Sequence, residues 1–232
     1  MNWQALTQAL FGQSHTIERV GDVISGMAQL NDQTITVVGT TDHAAIGVET
    51  ALAQAKVILD AVQHHPGCVI LLLIDTQGQR LRHRDELLCI NRYMAHLGSC
   101  VDLARRSGHR VIALVYDQAL SGGFITSGLM ADTCHALPEA EIRVMRLPAM
   151  SRVTKIAEDV LQALSLSNPV FAPGVENYVA MGGISSLWRG DLQACLMAAL
   201  ADSDTNDQRA TMGAQRGGRR LSAKVTQRVL AA

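Results

Sequence analysis

Aromatic side chains make up only 3% of the 232 residues, too few for the stacking platforms that hold single-stranded nucleic acids. An excess of either charge is missing too, since 20 basic residues stand against 21 acidic ones. A general nucleic-acid binder needs a basic face to neutralise phosphates, and only the late stretch QRGGRRLSAKVTQR is locally basic. Long apolar runs are absent: runs such as CVILLLI fall far short of the roughly 20 residues of a membrane span. No N-terminal stretch has the charged start, apolar middle and small-residue cleavage site of a secretory signal. Paired cysteines are lacking as well. Cys68, Cys89, Cys100, Cys134 and Cys195 are odd in number and form no C-x-x-C, so they read as buried thiols in a reducing compartment. These absences predict a cytoplasmic protein with no nucleic-acid or membrane partner.

Metal-binding spacing is also wanting. None of the eight histidines falls in H-x-x-x-H or H-E-x-x-H. The neighbours Cys134 and His135 sit in a strand-like segment, where adjacent side chains face opposite ways and cannot share an ion. The reading is therefore of a chain with no bound metal.

What is present is apolar patterning, with 48% hydrophobic residues and clear βα alternation. NWQALTQALFG predicts a short amphipathic helix, and DVISGMAQL and QTITVVGT predict two strands around the turn NDQ. Val48, Leu52, Ala55, Leu59 and Val62 recur at helical spacing, predicting a helix from Ala45 to Val62 that ends at Pro66-Gly67. CVILLLID and HRVIALVY have no polar alternation, as in strands covered on both faces. Between them Leu87, Ile90, Met94, Leu97 and Val101 form one helical stripe that stops at Ser107-Gly108. Short strands at CHAL, EIRVM and ISSLW, and helices at Ser151–Leu164, Val175–Met181 and DLQACLMAAL, complete the pattern. Composition turns polar after Asp202, which predicts a domain over 1–202 and a polar, basic tail over 203–232. That tail reads by default as frayed, though LSAKVTQRVLAA could form a docking helix.

Two segments follow buried strands directly: DTQG (Asp75–Gly78) and ALSGG (Ala119–Gly123). In parallel α/β sheets, ligands collect at the C-terminal ends of neighbouring strands. Glycines at a helix start let backbone N–H groups approach a bound oxygen, because no Cβ intervenes and the first N–H groups lack partners inside the helix. Spacing alone favours a plainer reading, in which the glycines let a helix pack tightly on a strand. Ser121 lacks the G-x-S-x-G context of a nucleophile and reads as a helix cap. Asp75 is either a catalytic carboxylate or an acceptor for loop N–H groups. Arg80, Arg82 and Arg84 could take an anionic phosphopantetheine-type ligand or an acidic carrier, or could simply be solvated.

The ordered run from LIDTQGQ through DELLCINRYMAHLGSCVDLARRSG, VIALVYDQALSGGF and ALPEAEIRVM resembles the carboxyltransferase branch of the crotonase superfamily. Within that branch it is most similar to the gamma subunits of biotin-independent malonate decarboxylases. ENYVAMGGISSLW is similar to the helix-then-strand ending of that branch. The resemblance implies an α/β, crotonase-like (ClpP/crotonase) spiral of ββα units. It implies an obligate assembly with a beta subunit that decarboxylates a malonyl thioester, carried on an acyl carrier protein, to the acetyl thioester and CO₂ through an oxyanion-stabilised enolate. No cofactor bound by this chain is implied. It also implies a backbone-amide site at Gly122 and Gly123, faced by Gly78 and Gln79; Gln77 stands where the family has proline. A non-catalytic scaffold subunit and a Clp-like serine peptidase using Ser121 are the alternatives.

Overall fold

The structure, a computed structural model, describes residues 1–166, 174–202, 204, 206–219 and 221–231. Asn2 opens the first helix by accepting a hydrogen bond from Ala5 N at 2.8 Å. That helix, α1 (Trp3–Phe11), buries Leu6, Leu10 and Phe11. Strands β1 (Glu18–Val20), β2 (Val23–Leu30) and β3 (Gln33–Thr40) form an antiparallel meander. The tight turn between β2 and β3 places Asn31 at φ 52°, as a two-residue hairpin requires.

The predicted helix from Ala45 starts later than its spacing suggests. Ala44–Ile46 is a strand, β4, paired in parallel with the next long strand, and α2 runs Val48–His64. Ladder pairing wins over helical periodicity there, and buried Asp85 fixes the boundary by accepting from Val48 N at 3.2 Å. β5 (Val69–Gln79) and β6 (Val111–Leu120) flank α3 (His83–Leu87) and α4 (Ile90–Arg106). DTQG is thus the outer end of β5 rather than a turn beyond it. Leu87 is 70% exposed and does not join the stripe of α4, because the chain breaks at Cys89, φ 61°, between the two helices. α5 (Ser121–Ile125), a 3₁₀ turn at Gly128–Met130, β7 (Thr133–Ala136) and β8 (Glu141–Arg143) follow.

The helix expected over Ser151–Leu164 is two helices, α6 (Leu147–Thr154) and α7 (Glu158–Ser165). Lys155 ends the first in a left-handed conformation, its N–H donating to Ser151 O at 2.9 Å. Next come α8 (Glu176–Ala180), β9 (Ser186–Leu187), α9 (Leu192–Ala201), α10 (Arg209–Gln215) and α11 (Ser222–Leu230). Asp191 caps α9, accepting from Ala194 N at 3.1 Å.

Among the described residues one nine-stranded mixed sheet runs β1-β2-β3-β5-β6-β7-β9, parallel from β3 onward. Ladder shifts between Ile74 and Thr76 bend the central pair, so the outer halves of β5 and β6 pair with β4 and β8 instead. The alternation hidden in VILLLI becomes visible across the two faces. Ile70, Leu72 and Ile74 pack with Ala55 and Ile58 of α2 and Leu97 and Val101 of α4. Val69, Leu71 and Leu73 pack with Leu6 and Leu10 of α1 and Leu192 and Leu196 of α9. Each such aliphatic side chain contributes about 1.5–3 kcal/mol relative to exposure.

Within the polar stretch after Asp202, residues 206–219 are tied to the body of the domain. Arg216 donates to the carbonyls of Val179 (3.0 Å), Ile184 (2.8 Å) and Ser185 (2.8 Å), and Arg219 to that of Met181 (2.9 Å). α10 lies so close that a Cβ on Gly213 would stand 2.4 Å from Met181 O. α11 is exposed along its length. No helix among the described residues is long and apolar enough to cross a membrane.

Candidate active site

Parallel pairing of β5 with β6 brings Asp75–Gln79 beside Ala119–Gly123, with Thr76 opposite Ala119. The four predicted site residues meet there. A Cβ on Gly123 would stand 3.2 Å from Gly78 Cα, 3.1 Å from Thr76 Oγ1 and 3.0 Å from Ile46 Cγ1. One on Gly122 would lie 3.4 Å from Gln79 Oε1 and 3.1 Å from Met94 Cε. Gly78, at φ 97°, faces Ser121, whose Cβ would be 2.9 Å from any Cβ added to it. Close packing of a helix start on a strand is therefore one real role of these glycines.

A second property comes with it. The N–H groups of Gly122 and Gly123 belong to the first turn of α5 and have no acceptor within it. No turn, cap or side-chain acceptor among the described residues takes them. Their carbonyls, by contrast, are engaged: Gly122 O accepts from Thr126 N (3.0 Å) and Gly123 O from Ser127 Oγ (2.7 Å). Gly122 and Gln79 are half-buried and open outward, whereas Gly123 is buried behind them. The amide of Gly78 is committed elsewhere, donating to Thr76 Oγ1 at 3.0 Å, while the Thr76 hydroxyl donates to Ala44 O at 2.6 Å. Sequence reasoning missed Thr76 and β4; the threonine after Asp75 was the available signal.

Ser121 is not the cap of α5. Leu120 holds that position without a side-chain bond, and Ser121 is the first helical residue, at φ 53°. Its hydroxyl makes no hydrogen bond to a histidine or carboxylate among the described residues, so the partner that activates a serine nucleophile is not in place.

The three loop arginines are each paired with a carboxylate, while Arg82 and Arg84 stay exposed as the solvated-loop reading expects. Arg80 pairs with Asp22 (3.0 Å), Arg82 grips Asp85 (2.6 and 3.2 Å) and Arg84 pairs with Glu49. Arg82 beside Asp85 holds that carboxyl below its usual range, and the group ties the loop to the start of α2. Asp75 follows the loop-acceptor reading: Oδ2 takes His43 N at 2.9 Å. Burial pushes its pKa up.

Three separate elements place His43, Asp75 and Asp117 together, with one ligand atom of each within 4.8 Å of the others. No linear spacing could show this. Elsewhere, a cavity of about 420 Å³ between β7, β9, α9 and α10 is lined by His135, Trp188 and Cys195, well away from the glycine turn. Burial, with Arg110 nearby, lowers His135 to about 4. Burial also pushes the Cys134 thiol up to about 12, an inert thiol at neutral pH. Cys100 and Cys134 are buried as expected, whereas Cys89 is exposed.

Chains of known structure share this architecture. One from a Pseudomonas malonate decarboxylase hetero-tetramer in complex with coenzyme A superposes with a TM-score of 0.81 at 23% identity, over 98% of this chain and 97% of that one. A chain of transcarboxylase 12S matches with a TM-score of 0.70 at 17% identity, covering 88% of this chain and 44% of its own. The fold is that of the crotonase-type α/β proteins.

The particular family follows from sequence. The model of the malonate decarboxylase gamma subunit family matches residues 41–232, and the chain belongs to that family. A Malonomonas rubra relative, malonyl-S-ACP:biotin-protein carboxyltransferase MADD, is 28% identical over 87% of this chain and 80% of its own length.

Proposed function

We propose that this chain forms one wall of a site that decarboxylates a malonyl thioester, the other wall coming from a beta-type subunit. The substrate arrives on the phosphopantetheine-type arm of an acyl carrier protein. The unclaimed amides of Gly122, half-buried beside Gln79, and of Gly123, buried behind it against Gly78, are the observation that carries this reading. Family membership supplies the reaction class.

The chemistry needs little more than oriented donors. The bond between the α-carbon and the carboxylate breaks, CO₂ departs, and the electron pair moves onto the thioester as an enolate; the α-carbon then takes a proton. An amide aimed at the developing oxyanion contributes about 3 kcal/mol. These donors hold either that oxygen or the carboxylate before it leaves.

Carboxyl transfer to a biotin carrier is the second reading, favoured by the Malonomonas rubra relative. The test is reconstitution of the chain with its beta-type partner and a malonyl-loaded carrier, with and without a biotinylated carrier. Release of CO₂ and acetyl carrier without biotin supports decarboxylation; strict dependence on the biotinylated carrier supports transfer. Equal turnover by the partner alone would reduce this chain to a scaffold.

A further inference from the structure

Beside the glycine turn, on the other face of β5 from Thr76, a buried carboxylate is left half satisfied. The Asp75 side chain is only 4% exposed. Its Oδ2 accepts from His43 N, and the Gln118 backbone amide also acts on the carboxylate, but among the described residues its buried Oδ1 has no hydrogen-bond partner of good geometry. Such an atom is costly unless something completes it. His43 Nε2 stands 3.8 Å from Asp75 Oδ1 and 3.4 Å from Asp117 Oδ1. Consecutive left-handed residues, Asp42 (φ 56°) and His43 (φ 51°), turn the chain over Asp75.

We propose that His43 Nε2, Asp75 Oδ1 and Asp117 Oδ1 bind a first-row divalent transition-metal ion, zinc being the best match. Ligand atoms around a tetrahedral ion at its usual bond lengths of 2.0–2.2 Å lie about 3.4 Å apart. His43 Nε2 already stands within a few tenths of an ångström of that spacing from each carboxylate, and the two carboxylates, within 4.8 Å of each other, need to close by at most about 1.4 Å. One imidazole with two carboxylates suits zinc or manganese better than calcium or magnesium, which prefer all-oxygen shells. Two carboxylates also supply the charge to balance a dication, since the nearby Arg19 is already paired with Asp42. His43 and Asp117 are half-exposed, which leaves the fourth position to water and gives the ion a way in. The ion ties the segment before β4 to the bulges of β5 and β6. Thr76 holds the next residue, Ala44, and Ile46 lies against Gly123, so the ion stiffens the wall behind the glycine turn.

The test uses the intact chain in its native assembly, stripped with a chelator and titrated with Co²⁺ as a spectroscopic probe, then with Zn²⁺. The expected result is a single equivalent of Co²⁺ per chain with visible d–d bands, displaced by Zn²⁺, and a higher melting temperature with metal. His43→Gln and Asp117→Asn, at half-exposed positions that do not threaten folding, should each weaken binding by at least about 10-fold, the cost of losing even an outer partner of a metal ligand. His83→Gln should leave binding unchanged. Absence of stoichiometric binding overturns the proposal. So does wild-type affinity in both ligand variants, which would place the ion elsewhere.

Discussion

Thr76 and Gly123 meet where strand gives way to helix, the Thr76 hydroxyl lying 3.1 Å from the place a Gly123 Cβ would occupy. A valine at 123 must push against Thr76, Ile46 and Gly78 together and tilt the first turn of α5. Gly123→Val should therefore lower decarboxylation by about 100-fold or more, the cost of losing one oxyanion donor. Formation of acetyl carrier by the reconstituted complex, with assembly checked by gel filtration, is the measurement. Full activity in an assembled complex would remove this amide from the mechanism.

Thr76 itself serves two partners, the Gly78 amide and the Ala44 carbonyl. Thr76→Val keeps the shape and strands both, so it should destabilise by about 1–3 kcal/mol for each group left unpaired. Thr76→Ser keeps the hydroxyl and should cost much less. Urea denaturation of the two variants separates the hydrogen bonds from the packing.

Stability should depend on pH through His135. Unfolded, this imidazole takes its proton near the ordinary 6.5; folded, only at about 4. The unfolded state binds more protons between those values, so stability rises with pH across that window and is lost as pH falls through it. The full effect is roughly 3 kcal/mol. His135→Gln should flatten the difference between pH 4 and pH 7 in chemical denaturation; an unchanged slope would assign the pH dependence to other groups.

Asp85 gives a dependence of its own. Its carboxyl is held below the ordinary range by Arg82 and by the Val48 amide. A depressed carboxylate stabilises the fold above its unfolded pKa and loses that contribution as pH falls through the folded value. Asp85→Asn should lower the melting temperature at neutral pH and narrow the gap to wild type in acid, which a pH series of thermal melts reads directly.

Gly213→Ala places a methyl group 2.4 Å from the Met181 carbonyl, a backbone contact that cannot yield cheaply. α10 should lift away, and limited proteolysis should cut residues 206–219 faster than in wild type while the central sheet survives.

The sequence makes the buried strands legible because β5 and β6 are covered on both faces, and an unbroken aliphatic run has few other meanings. Meeting of Gly78, Gln79, Gly122 and Gly123 follows from two such strands lying side by side. What was hidden depends on partners distant in the chain. Helical spacing at Ala45 yields to pairing with Gly78 and to the Asp85 carboxylate, which accepts from Val48 N. The carboxylate partners of the three loop arginines, Asp22, Glu49 and Asp85, are set by the fold and not by their spacing. His43 and Asp117 are ordinary loop and strand residues until β3, β5 and β6 bring them to Asp75.

The clasp made by Arg216 also sets an order of events. Its guanidinium closes on carbonyls at positions 179, 184 and 185, beside the outermost strand. During synthesis the sheet can be laid down as far as β7, but that border stays unsealed until residue 216 has left the ribosome. A nascent chain halted near Asp202 would carry a formed centre with a raw margin, open to chaperones or to mispairing, and would mature only when its final stretch arrives.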